Sequence, residues 1–303
     1  MRLLKAPITL LIRNKVADMK IAVIPNLTRE YALKTTKEVV LQLKKYNADI
    51  IIADYAADEM EDTENVSFAS IESAIEDCDM VVAIGGDGTI LHSGKIAAMY
   101  SKPILGINAG RLAFMAGLER HELDLLGNLF SGDYTTDKRM MLDVMVFDES
   151  GMCVNRFNCI NDAVFARHIN RTIIEVSVES NGRLVNNYWG DGVIFATPTG
   201  STAYSLSAGG PVVDPTIESI ILTPICTHSL FSHPIIFRAD ERMSVYATKE
   251  DETELCVSCD GEPPISIGAG CSVVVQKASI TADFIRIKSD SFIEILNTKM
   301  LHP

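Results

Sequence analysis

The sequence predicts an α/β unit with a parallel sheet followed by a β-rich unit, and three observations point there. From Lys20 to about Ser131, short β-branched runs alternate with longer segments of helical period. After about Asp137 the texture changes to strand-like runs separated by Gly, Asn and Asp turns. The chain has 303 residues, 47% apolar and 22% charged. That is ordinary globular usage with room for two cores, and it excludes disordered, collagen-like and coiled-coil classes.

In chain order, residues 1–18 read as an N-terminal extension. Arg2, Lys5 and the apolar stretch Pro7 to Ile12 imitate a signal peptide, but Arg13 and Lys15 follow at once and no small-residue cleavage site appears. Residues 19–137 form the predicted α/β domain, with strands at Ile21 to Ile24, Ile50 to Ala53, Met80 to Ile84 and Ile104 to Ile107. Helical periods occupy Thr28 to Tyr46, with Leu33, Val40 and Leu43 on one face, then Ser67 to Cys78 and Thr89 to Tyr100. Residues 138–281 form the β-rich domain, with strands at Leu142 to Phe147, Thr172 to Val178, Val193 to Ala196, Met243 to Ala247, Leu255 to Ser258 and Cys271 to Val275. Its one helix signal lies near Ser201, an N-cap residue type. Residues 282–303 resume a strand and return to the first domain.

Lys plus Arg number 27 against 40 Asp plus Glu, a formal charge of -13. An acidic balance argues against nucleic acid and anionic membrane as partners. A bound phosphate would have to be held locally, by backbone amides, a few placed side chains or a cation. The seven cysteines are an odd, thinly spread set, which points to the cytoplasm rather than to a secreted disulfide framework. Cys256 and Cys259 are spaced C-x-x-C without a second pair, and in a strand they face opposite ways. No apolar run approaches the ~18 residues of a membrane span.

The chemistry is concentrated in Gly85-Gly86-Asp87-Gly88-Thr89, which follows an apolar strand and opens a helix. Amides of Gly85, Gly86, Gly88 and Thr89 in such a turn can approach phosphate oxygens, and the helix terminus favours negative charge. Asp87 is out of place in a pure phosphate cradle, because a carboxylate repels the ligand. It suits an acceptor for a hydroxyl proton or a ligand for Mg²⁺. The turn is not a dinucleotide fingerprint, since Leu91 stands where the third glycine belongs. It is not a P-loop either, since counting from Gly88 puts Gly94 one position late and no Ser or Thr follows Lys95.

Three further motifs follow in order: Gly106-Ile107-Asn108-Ala109-Gly110-Arg111-Leu112-Ala113-Phe114, Asn161-Asp162, and Thr197-Pro198-Thr199-Gly200-Ser201-Thr202-Ala203-Tyr204. In content and order the set resembles the NAD kinase family, of bacterial type, over nearly the whole chain. The glycine turn is shared with diacylglycerol, sphingosine and phosphofructo-kinases; the Thr-Pro-Thr-Gly-Ser-Thr-Ala-Tyr run is far more specific.

The resemblance implies transfer of the ATP γ-phosphoryl group to the adenosine ribose 2'-hydroxyl of NAD, giving NADP. Asp87 would accept the proton, and Mg²⁺ or another divalent cation would sit on the triphosphate. It further implies NAD contacts at Asp87, Gly88, Phe114, Asn161, Asp162, Thr172, Asp191, Thr202, Ala203, Tyr204, Ser205, Leu206 and Ser207. Asp191 would lie at the nicotinamide end. It also implies a homodimer or homotetramer. The chain departs from the family pattern at Trp189, where Arg is common, at Arg111 and Ala113, where His and Gly are common, and at Glu262, where Gln is common. His228 and His92 read as packing or secondary contacts. Two other readings stand beside this one: a lipid kinase of the diacylglycerol or sphingosine type, and a non-catalytic NAD-binding sensor.

Overall fold

The computed structural model describes residues 19–60, 63–110, 113–167, 173–228, 232–247, 255–268 and 270–298. The extension at 1–18, Arg111 and Thr172 lie outside them. The chain divides into two compact units, one from Met1–Asp137 with Ala282–Pro303 and one from Lys138–Thr281.

In the first unit the described strands run β1 (Lys20–Pro25), β2 (Asp49–Ala53), β3 (Ser67–Ala69), β4 (Met80–Gly85) and β5 (Ile104–Asn108). They pair in the order β5-β4-β1-β2-β3, all parallel, with the short β6 (Leu118–Glu119) beside β5. Helices α1 (Ala32–Lys44), α2 (Ile71–Asp77) and α3 (Asp87–Met99) make the crossovers, and α4 (Gly127–Ser131) follows β6. The interior strands are buried on both faces, which is why Lys20–Pro25 and Met80–Gly85 read as near-continuous apolar runs rather than alternating ones. Ile21, Val23, Ile50, Ile52, Val82 and Ile84 form the core with Val39, Val40 and Leu43 of α1.

The second unit is antiparallel. One sheet runs β14 (Ile235–Arg238), β13 (Ser219–Ile225), β12 (Gly192–Ala196), β9 (Asp162–Arg167), β16 (Leu255–Cys259) and β17 (Ile265–Ile267). A second group pairs β11 (Arg183–Gly190), β10 (Ile174–Ser180), β15 (Met243–Ala247) and β18 (Ser272–Arg286), whose residues from Ala282 belong to the first unit. The hairpin β7 (Thr135–Phe147) and β8 (Cys153–Cys159) completes it. Phe165, Phe195, Val193, Leu222, Val176, Val245 and Val273 from both sheets share one apolar cluster, with Phe165 and Phe195 edge to face at 5.6 Å. An α/β first unit followed along the chain by a β-rich second unit is the fold class expected from the sequence.

Several element boundaries differ from expectation. The helix expected over Ser67–Cys78 begins at Ile71, because Ser67–Ala69 pairs with β2 and the Ser70 hydroxyl caps the helix by accepting the Ser73 N–H. The helix expected from Thr28 begins at Ala32, because Asn26 Oδ1 captures the N–H and hydroxyl of Thr28 in a local turn. Ser201 is not an N-cap. It lies inside the 3₁₀ segment Thr199–Thr202, donates to the Pro198 and Val213 carbonyls and accepts the Val213 N–H, and the short helix α5 (Tyr204–Ser207) starts after Ala203. The strand expected at Cys271–Val275 and the one resuming at Ala282 are a single strand, β18. Strands β3 and β6 of the first unit and β8, β9, β11, β13, β14 and β17 of the second are additional. Cys153–Arg156 is exposed, so it carries little apolar signal, and Pro224 in β13 masks a strand that is buried throughout. The last described helix is α6 (Phe292–Leu296), opened by a capping box from Ser291 and Glu294.

Candidate functional site

In the first unit the site begins where β4 runs into α3. Gly86 is the N-cap and Asp87 the first helical residue. Gly85 is required by space: a Cβ there would lie 2.4 Å from Thr89 Oγ1. Thr89 is drawn in because its hydroxyl accepts a hydrogen bond from Asn26 Nδ2 at 3.0 Å. The sequence does not mark Asn26 as part of this turn; its position at the end of the neighbouring strand β1 does.

The Asp87 carboxylate turns onto the segment after β5. Its Oδ2 accepts the Phe114 N–H at 2.9 Å and its Oδ1 the Met115 N–H at 2.8 Å. Two amide donors fix the orientation of the carboxylate and leave each oxygen a further lone pair for an incoming group. The first unit thus brings Gly85, Gly86, Asp87, Gly88, Thr89 and Phe114 together. The preceding loop is shaped by buried Asn108, which donates to Glu119 Oε2 and accepts the Gly110 N–H, both at 2.8 Å.

Beside the turn lies a pocket of about 400 Å³ lined by Pro25, Asn26, Thr28, Tyr55, Ile71, Gly88, Thr89, His92 and Ser93, among others. Its walls mix apolar surface with hydroxyls, an amide and an imidazole. Tyr55 closes one side, its hydroxyl donating to the Pro25 carbonyl at 2.6 Å. His92 is exposed on α3, and the hydroxyl of buried Ser93 has no partner among the described residues.

In the second unit Asn161 and Asp162 stand where β9 begins. The Thr197–Thr202 turn packs directly on them: the Thr197 N–H donates to the Asn161 carbonyl at 2.8 Å and Thr197 Oγ1 to the Ile160 carbonyl at 2.6 Å. Thr197 Oγ1 also accepts the Gly200 N–H at 3.0 Å, and buried Arg139 donates to Thr199 Oγ1 at 3.2 Å. Thr202, Leu206, Ser207 and Tyr204 remain accessible to different degrees, with Tyr204 47% exposed, while Ala203 links the turn to α5. Ser205 is different: it is fully buried and its hydroxyl is shared with Thr223 at 2.8 Å, so its side chain braces α5 against β13.

Asp162 is 5% exposed. Burial, and then the charge of Asp260, push its carboxyl up to about 7. A carboxyl whose folded pKa lies above its unfolded one makes a stabilising contribution in acid that is lost as pH rises, here between about 4 and 7. Asp162→Asn, which mimics the protonated form, should therefore leave stability unchanged near pH 4. At pH 8 it should raise unfolding free energy by about 2–4 kcal/mol over the unsubstituted protein. Denaturant titrations of both proteins across this range measure the difference, and parallel pH curves would contradict it.

Asp191 lies at the other end of the β9–β12 pair. Gly192 is opposite Ala166 and Ala196 opposite Asp162, so Asp191, one residue beyond Gly192, is displaced from Asp162 by about 17 Å at 3.4 Å per residue. Asp191 Oδ1 accepts from Arg167 Nε at 2.7 Å. The guanidinium beside Asp191 therefore comes from Arg167, whereas Trp189 on the preceding strand is 50% exposed and its carbonyl accepts the His228 N–H. Glu262 forms the tight turn after β16, its N–H donating to the Cys259 carbonyl. Cys256 and Cys259 are both buried, Cys153 and Cys226 are exposed, and no disulfide joins any of the seven cysteines among the described residues.

Asp260 is a buttress that local sequence barely marks. Its Oδ2 accepts the Ile160 N–H at 2.8 Å, and its Oδ1 accepts those of Asn161 at 2.7 Å and Asp162 at 3.1 Å. The one signal available was the turn dipeptide Asp260-Gly261, whose residues both adopt positive φ. Among the described residues no three His, Cys, Asp or Glu side chains converge to hold a metal, and no helix is long and apolar enough to cross a membrane.

Comparison with known proteins covers both units. Residues 15–134 match the ATP-NAD kinase N-terminal domain and residues 160–287 the ATP-NAD kinase C-terminal domain. The NAD kinase of a Thermoanaerobacter species is 35% identical over 283 residues, 93% of this chain and 98% of its own. That of Acetivibrio thermocellus is 34% identical over 93% of this chain and 97% of its own. Among solved structures, yeast NADH kinase complexed with NADH superposes with a TM-score of 0.84 at 23% identity, covering 93% of this chain and 87% of its own. An NAD kinase from Archaeoglobus fulgidus in complex with ATP gives 0.70 at 23%, covering 91% and 98%. These two structures share the fold.

Proposed function

From the premise that the chain belongs to the NAD kinase family, and is a phosphotransferase, we propose that it moves the ATP γ-phosphoryl group to the 2'-hydroxyl of the adenosine ribose of NAD. The oxygen of that hydroxyl forms the new bond to phosphorus, the bond from phosphorus to the β-phosphate oxygen breaks, and ADP leaves. The hydroxyl proton goes to Asp87.

The observation that carries this reading is the held carboxylate of Asp87 at the start of α3. In a loose transition state the proton departs late, so the acceptor needs placement more than high basicity. The glycine-turn amides at the helix terminus suit the phosphates of ATP. The adjoining pocket of about 400 Å³, with Tyr55, Asn26 and His92 on its walls, suits the nucleoside. Asn161 and Asp162 are assigned to the adenosine of NAD, Tyr204 supplies an aromatic surface for a base, and Asp191 with Arg167 is assigned to the nicotinamide end.

Mg²⁺ fits this donor set as a cation carried by the triphosphate. Among the described residues the turn offers Asp87 alone, and Mg²⁺ is commonly held by one or two carboxylates plus substrate phosphates. When bound it would neutralise charge on the phosphates of a substrate approaching a protein of charge -13. Seven cysteines with no disulfide among the described residues suit a reducing compartment such as the cytoplasm. Leu184 and Trp189, 61% and 50% exposed on β11, support association of two or four copies, and light scattering should give the mass of a dimer or tetramer.

Purified protein given ATP, Mg²⁺ and NAD should release ADP and form NADP in equal amounts, read with an NADP-specific dehydrogenase. Binding of NAD without ADP release would make it a sensor, and turnover on diacylglycerol or sphingosine a lipid kinase. The family matches favour neither alternative.

A further inference from the structure

The segment Ile160–Asp162 is held in an unusual way. Its three N–H groups donate to the Asp260 carboxylate, and its three carbonyls accept from Thr197 Oγ1, the Thr197 N–H and the Asp260 N–H, the last at 2.9 Å. Two residues, far away in sequence, thus take up all six backbone polar groups of the segment. Meanwhile the side chains of Asn161 and Asp162 make no hydrogen bond to the described residues. A backbone so fully engaged leaves those two side chains as the groups free to meet a ligand, and their aim depends on Asp260 and Thr197.

We propose that Asp260 is a positioning residue for the nucleotide acceptor: by accepting three consecutive backbone N–H groups it sets the direction in which Asn161 and Asp162 present their side chains. This rests on the assignment of those two residues to NAD. Asp260 reaches back over the segment because it and Gly261 both adopt left-handed φ, 51° and 75°, immediately after β16. An asparagine there keeps one acceptor oxygen for Asn161 and Asp162. It sets an amide N–H₂ against the Ile160 N–H, which costs that bond and adds a donor–donor contact. An alanine removes all three bonds.

The test measures kcat and KM for NAD and for ATP in Asp260→Asn and Asp260→Ala, with NAD binding followed directly by calorimetry. The KM for NAD is expected to rise about tenfold in Asp260→Asn and by roughly a hundredfold in Asp260→Ala, as bonds to a charged group are lost. The kcat and the KM for ATP should stay within about threefold, because the phosphate turn belongs to the other unit. A folded Asp260→Ala with unchanged KM for NAD would overturn the proposal. So would equal losses in kcat and both KM values, the mark of a merely structural role. Should Asp260→Ala fail to fold, the tenfold shift in Asp260→Asn decides alone. If the unsubstituted protein neither binds nor turns over NAD, the assignment of Asn161 and Asp162 fails instead, and amide exchange at 160–162 in Asp260→Asn still reports whether the clamp was lost.

Discussion

Asp87→Asn should lower turnover by roughly 10²–10⁴-fold, the range for loss of a positioned general base. The amide keeps the size of the carboxylate and one acceptor oxygen, so it still receives the N–H of Phe114 or of Met115. It cannot take the proton of a ribose hydroxyl. Binding of NAD and of ATP should change by only a few-fold, since the glycine-turn amides and the pocket beside α3 are untouched. Turnover within tenfold of the unsubstituted enzyme would sink the role of proton acceptor. Asp87→Ala is a different experiment. It also frees the two amides of the segment after β5, each worth about 1–3 kcal/mol when left without a partner. The alanine variant should therefore lose more stability than the asparagine variant, which leaves only one of the two amides unpaired, and the difference separates the anchoring of this segment from proton transfer.

Gly200→Ala should cost about 3 kcal/mol or more of stability and weaken NAD binding with it. A Cβ at Gly200 would lie 2.1 Å from the Asn161 carbonyl oxygen, 2.5 Å from its carbon and 2.8 Å from its Cα. All three contacts are backbone, so no side-chain rotation relieves them, and either the turn or the start of β9 has to move. Movement there breaks the bonds from Thr197 to Ile160 and Asn161. Gly88→Ala is the matched control. A Cβ at Gly88 meets nothing within 4 Å, and alanine at a helical position is favoured over glycine by up to about 1 kcal/mol. Denaturant unfolding should show the first variant far less stable and the second equal or slightly more stable. Equal stabilities would mean that the turn does not sit against Asn161 as closely as described.

Much of this protein is legible in order along the chain. The parallel strands announce themselves because burial on both faces leaves runs such as Met80-Val81-Val82-Ala83-Ile84 with nothing polar in them. The glycine turn is legible because glycines, a strand before and a helix after all fall within a few residues. Less legible are β8, whose first residues face solvent, β13, which contains Pro224, and the helix expected from Ser67, where three residues instead join the sheet. Ser67–Ala69 joins the sheet because pairing with β2 overrides a local helix preference, whereas solvent exposure hides β8 and Pro224 hides β13.

Sequence alone determined the fold class, the glycine turn and the family, because those signals reside in contiguous residues. Tertiary structure alone decided what surrounds each group. Asp87 holds the amides of Phe114 and Met115, Arg167 meets Asp191, Ser205 is spent on Thr223, and Asp260 gathers three amides about a hundred residues earlier. Hydrogen bonds and buried charge depend on distances of a few ångströms. Residues brought that close by strand pairing leave no mark on local composition, so a turn dipeptide such as Asp260-Gly261 looks like any other until the sheet has formed.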